Sequence, residues 1–118
     1  MLKPSEAEAL LDSSTHVRLA QPKEKYSAVY VTTNGRYIAL ERRLKTVTKV
    51  HIEPSIDPKT IGLSAESKIE HLPPSMPRVH LPVASLRGPY KGRSGNEAWR
   101  LTLASEADLK QLLAAYSR

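Results

Sequence analysis

The chain has 118 residues, enough for one domain with a single core, and 40% of them are hydrophobic. It has no cysteine, which excludes disulfides and cysteine-ligated zinc, and no 18-residue apolar run to span a membrane. The formal net charge of +6 points to anionic partners or to a solvated basic surface.

The opening MLKPSEAEALLDSS lacks an apolar centre and carries acids, so it does not read as a secretory signal, and a cytoplasmic protein is expected. Ser5 followed by Glu8 reads as a capping box. Ala7, Leu10 and Leu11 give the helix a short apolar stripe that ends near Ser13 and Ser14. His16 to Leu19 fits a short strand, stopped by Pro22. Tyr26 to Leu44 is the clearest hairpin, with Asn34-Gly35 suiting a two-residue type I′ turn that needs φ > 0 at both positions. That turn pairs Val31 with Ile38, Tyr30 with Ala39 and Val29 with Leu40. Side chains alternate along a strand, so Val29, Val31, Ile38 and Leu40 form the predicted core face. Tyr26, Ala28, Tyr30, Tyr37, Ala39, Glu41 and Arg43 share the other.

Val47 to Glu53 is a further strand, with Thr48, Val50 and Ile52 inward and Lys49 and His51 on the tyrosine face. Residues 54–77 hold five prolines and are acidic, which predicts a long connection with room for a helical turn near Ser64 to Glu70. Arg78 to Val83 reads as an edge strand because of Pro82. A glycine loop, Gly88 to Asn96, leads to a last strand, Glu97 to Leu103, with Trp99, Leu101 and Leu103 inward and Arg100 and Thr102 outward. Ser105 and Asp108 cap a final helix whose Leu109, Leu112, Leu113 and Tyr116 form one face. The expected fold is α+β: a mostly antiparallel five-stranded sheet with the N- and C-terminal helices on one face, in a single domain spanning 1–118.

The charge is unevenly spread. Residues 36–52 carry Arg36, Arg42, Arg43, Lys45 and Lys49 against Glu41, a net of +4. Residues 78–100 carry Arg78, Arg87, Lys91, Arg93 and Arg100 against Glu97, also +4. A tyrosine-bearing face with such cations suits nucleic acid, DNA or RNA, or an acidic protein surface. The candidate interface is Tyr26, Tyr30, Tyr37, Arg43, Lys49, His51, Lys91, Arg93 and Arg100. The same tyrosines also suit a half-buried strand with no ligand.

The known catalytic patterns fit poorly. GPYKGRSGN falls one residue short of the phosphate-loop spacing, has Arg93 in place of the lysine and precedes a strand, so no nucleotide cofactor is expected. His51-x-Glu53 is the one close metal-type pair, too little for a site, and no metal is expected. A metal-independent ribonuclease using Tyr37, Arg43, Lys49 and His51 is one alternative reading. A protein-interaction or inhibitor module without nucleic-acid contact is another.

Three stretches carry a resemblance: YIALERR at Tyr37–Arg43, G-x-x-G-N at Gly92–Asn96, and RLTLASEADLKQLLAAY at Arg100–Tyr116. From Tyr37 onward the chain resembles an uncharacterised family of small α+β domains labelled "predicted transport protein". Those domains occur alone or attached to nucleases and restriction-type proteins. The chain departs from them in its proline-rich 54–77 segment and in Arg93-Ser94, where an aromatic is expected. The resemblance implies a DNA-defence or mobile-element context and offers no catalytic residues to carry over.

Overall fold

A computed structural model describes residues 1–54, 56–72 and 98–118. Helix α1 (Pro4–Ser13) is followed by strands β1 (Val17–Leu19), β2 (Ser27–Thr32), β3 (Tyr37–Glu41) and β4 (Thr48–Ile52). A 3-10 turn (Pro58–Thr60) leads to β5 (Lys68–Leu72), and β6 (Ala98–Leu103) precedes helix α2 (Glu106–Tyr116). The six strands form one antiparallel sheet in the order β1-β2-β3-β4-β6-β5.

The fold is thus α+β as expected, but with six strands among the described residues rather than five in all. Four of the expected strands are β2, β3, β4 and β6; β1 and β5 are additional to the expected five. The predicted helical turn at Ser64 to Glu70 is instead a tight turn, with Ser67 N donating to the Ser64 carbonyl at 3.2 Å, that launches β5. The expected 54–77 connection therefore contains two ordered elements before residue 73. The predicted strand Arg78–Val83 and the glycine loop lie outside the described residues.

Both helices pack on the same sheet face. Ala7 and Leu11 of α1 and Leu109, Leu112, Leu113 and Tyr116 of α2 join Ile38, Leu40, Val50, Ile52, Leu101 and Leu103 in one core. The α1 start differs from the expected cap. Pro4 is the first helical residue, its fixed φ suiting that position, and Lys3 N donates to Glu6 Oε1 at 2.8 Å. Ser105 caps α2 as expected, its hydroxyl accepting from Asp108 N at 3.2 Å. Tyr116 ties α2 to the sheet: its hydroxyl donates to the Tyr37 carbonyl at 2.5 Å and accepts from Glu53 N at 3.0 Å.

The hairpin register departs from the expected one by a single residue. Val31 pairs with Tyr37, Tyr30 with Ile38, Val29 with Ala39 and Ala28 with Leu40. Its loop has three residues, Thr33-Asn34-Gly35, closed by Thr32 N donating to the Arg36 carbonyl at 2.8 Å. Gly35 N donates to the Thr32 carbonyl at 3.0 Å, and within this loop only Gly35 has positive φ, at 85°. This is a type I turn followed by a left-handed glycine, not the two-residue type I′ turn. The shift exchanges the faces of β2. Ala28 and Tyr30 enter the helix-side core, while Val29 and Val31 turn to the far face, where Val29 packs with Ala39 and Ala98.

A Cβ at position 35 would meet nothing within 4 Å, so Gly35→Ala has only its left-handed backbone against it, about 1–2 kcal/mol. Leu112→Ala empties a fully buried site and costs about 2–5 kcal/mol. Urea titration of both variants should show lowered midpoints at unchanged slope, with Leu112→Ala the more destabilised.

Candidate nucleic-acid interface

The centre of the far face is not an open tyrosine platform. Across it run Val29, Ala39, His51, Arg100 and Glu70, paired strand to strand. His51 is fully buried and Glu41 is 2% exposed. The Glu41 carboxylate meets His51 Nε2 at 2.9 Å and accepts a bidentate pair from Arg100, Nε at 2.7 Å and Nη2 at 3.0 Å. Arg100 also lies 3.6 Å from Glu70. Burial pushes the Glu41 carboxyl up, but hydrogen bonds and charge from His51 and Arg100 outweigh it and hold the carboxyl at about 2.

The expected interface residues therefore separate into distinct environments. Tyr30 is a correction: it is buried on the helix side, and its hydroxyl donates to Asp12 at 2.6 Å. His51 is another correction, buried and bonded to Glu41 rather than presented to a ligand. Arg100 does project from the far face, but its charge is committed to Glu41 and Glu70. Tyr37 is half-buried against the small far-face cluster. Lys91 and Arg93 lie outside the described residues. Among the described candidates, Tyr26, Arg43 and Lys49 keep the character of an accessible binding surface.

Those three share one end of the sheet with cations that the hairpin pattern did not single out. Lys25 and Tyr26 precede β2, Arg43 and Lys45 follow β3, Lys49 is the second residue of β4 and Lys68 opens β5. Antiparallel pairing brings these ends together: Ser27 lies opposite Glu41, and Thr102 lies between Lys49 and Lys68. Neighbouring strands are ~4.8 Å apart, so the Lys49 and Lys68 backbones are about 10 Å apart. Tyr26 is 45% exposed, with Lys25 Nζ 5.3 Å and Arg43 Cζ 5.7 Å from its ring centroid. Among the described residues, Lys25, Arg43, Lys45, Lys49 and Lys68 have no carboxylate within ion-pair distance.

Two cations beside α1 are spent on structure. Lys23 bridges Glu8 at 2.8 Å and Asp12 at 2.7 Å. Arg42 holds Glu8 at 2.9 Å and donates to the Glu24 carbonyl at 2.6 Å. Burial raises the Glu8 and Asp12 carboxyls, and hydrogen bonds outweigh it, from Lys23 and Arg42 at Glu8 and from Lys23 and Tyr30 at Asp12, leaving both below their usual range. Lys25 and Lys45 were visible in the sequence as neighbours of Tyr26 and of the charged hairpin end. Lys68 had no such signal, because its strand was not expected.

No family model, curated protein or solved structure matches the chain. Among the described residues, no helix is long and apolar enough to cross a membrane.

The depressed Glu41 carboxyl gives the sign of a pH effect. Its stabilisation is full above the ordinary value of 4.5 and is lost as pH falls towards about 2. Glu41→Gln leaves Arg100 and His51 beside a neutral amide and should cost several kcal/mol at neutral pH, roughly the 3–5 of a broken buried pair. Thermal melts from neutral to acid pH should show a shallower acid slope in Glu41→Gln than in the parent.

Proposed function

We propose that this protein binds the anionic backbone of a nucleic acid, DNA or RNA, through the rim formed by Lys25, Tyr26, Arg43, Lys45, Lys49 and Lys68. The supporting observation is that five cations with no carboxylate partner among the described residues, Lys25, Arg43, Lys45, Lys49 and Lys68, gather at one end of the sheet around an exposed tyrosine. Lysines and arginines so placed neutralise phosphates and release condensed counterions, which supplies affinity without sequence readout. Tyr26 adds a ring on which a base can stack. Neither described helix offers a basic outer face for a major groove: α1 exposes Ser5, Glu6, Ala9 and Asp12, and α2 exposes Glu106, Ala107, Lys110 and Gln111. Sequence preference is therefore small.

The ribonuclease alternative loses its proton carrier, since His51 is buried against Glu41. The resemblance of the Tyr37–Tyr116 region to domains attached to nucleases is in keeping with nucleic-acid binding in a defence or mobile-element setting.

If all five rim cations meet phosphates, log affinity should fall with log salt at a slope of about −4.5 on duplex and −3.5 on single strands. Fluorescence anisotropy with labelled DNA and RNA at several salt concentrations measures it. Arg43→Glu combined with Lys49→Glu should weaken binding to all sequences alike and flatten the slope by about 2. A flat salt response in the parent would overturn this reading in favour of an acidic or neutral protein partner.

A further inference from the structure

Beside Tyr26 the rim turns inward into a recess of about 280 Å³ between the start of α1 and the β3–β4 connection. Lys25, Arg42 and Lys45 line it, with Ser5 and Leu44 and a single carboxylate, Glu8. Glu8 is already neutralised by Lys23 at 2.8 Å and by Arg42 Nε at 2.9 Å, so it opposes an incoming anion only weakly. The same ion pair fixes Arg42, whose Nη1 is also held by the Glu24 carbonyl, while Nη2 has no acceptor among the described residues. Lys25 and Lys45 are exposed and have no acidic partner there.

We propose that this recess receives the terminal phosphate monoester of a nucleic-acid chain, with Lys25, Arg42 and Lys45 around the anion and the adjoining base beside Tyr26. The inference rests on the rim reading above and narrows it from backbone binding to chain-end binding. Two features favour a terminal over an internal phosphate. A phosphodiester continues on both sides and must bend to enter a recess, whereas a monoester has one tether. A monoester also carries close to two negative charges at neutral pH against one for a diester, and so draws more from the uncompensated Lys25 and Lys45, with Arg42 Nη2 as a further donor.

The test is anisotropy of the full chain with short single-stranded oligonucleotides bearing a 5′-phosphate, a 3′-phosphate or neither. Charge-assisted hydrogen bonds to the added oxygens should tighten binding of one phosphorylated form at least about tenfold near neutral pH. That advantage should shrink near pH 5, where the phosphate, with its second pKa of about 6, becomes a monoanion. Lys25→Gln combined with Lys45→Gln should remove the advantage, and Lys110→Gln on α2 should keep it. Equal binding of all three oligonucleotides overturns the chain-end inference while the rim reading stands. A mononucleotide 5′-monophosphate that competes as well as the phosphorylated chain also overturns it, assigning the recess to free nucleotides. Failure of every oligonucleotide to bind removes the rim reading itself.

Discussion

One residue of loop length in the β2–β3 hairpin decides what each face of the sheet contains. With Thr33, Asn34 and Gly35 in the loop, the left-handed position falls on a glycine, which has no Cβ to clash there. Asn34 stays out of that region and its side chain reaches across to the carbonyls of Tyr116 and Arg118 at the end of α2. The resulting register sends Tyr30 under α1, where Asp12 accepts a hydrogen bond from its hydroxyl. A buried tyrosine hydroxyl needs such a partner, and in this register α1 supplies it. The turn, the end of α2 and the α1–β2 contact thus support one another.

The charge distribution follows from a second constraint, the burial of Glu41 on the far face. A buried carboxylate is tolerated only when paired and hydrogen-bonded. Glu41 accordingly engages His51 and Arg100 from the two adjoining strands in the β4–β6 direction. Glu8 and Asp12 engage Lys23, and Glu8 also holds Arg42. These pairs consume the cations nearest the sheet centre and the outer side of α1. Lys25, Arg43, Lys45, Lys49 and Lys68, near the strand ends, face no such buried acid and keep no carboxylate partner among the described residues.

Asp108 connects this rim to α2. Its carboxylate accepts from Ser64 N and from the hydroxyls of Ser64 and Ser67, and Ser67 Oγ accepts from Ala104 N at 3.0 Å. Burial raises the Asp108 carboxyl, and these hydrogen bonds more than offset it, so the group stays ionised below the ordinary range. The latch fixes the turn from which β5 departs, and β5 in turn sets Lys68 across Thr102 from Lys49. A first-turn residue of the last helix thereby helps to place a cation of the proposed interface.

The α+β class, α2 with its Ser105 cap, the inward set Val50, Ile52, Leu101 and Leu103, and the outward Lys49, His51 and Arg100 were legible in the sequence. Each rests on local chemistry: a cap, a 3.6-residue period, or an alternation with polar residues on one side only. Strand β2 offered no such asymmetry. Ser27-Ala28-Val29-Tyr30-Val31-Thr32 is buried on both faces, so either register satisfies its pattern, and only the turn together with the Asp12 hydrogen bond selects one. Strand β5 was hidden for the opposite reason: four of its five residues are exposed, and its strand state depends on pairing with β6 and on the Asp108 latch. Residue types told how much positive charge the chain carries. Which cations remain for a partner was decided by tertiary structure alone, because it depends on which carboxylates are buried and which strand ends the topology brings together.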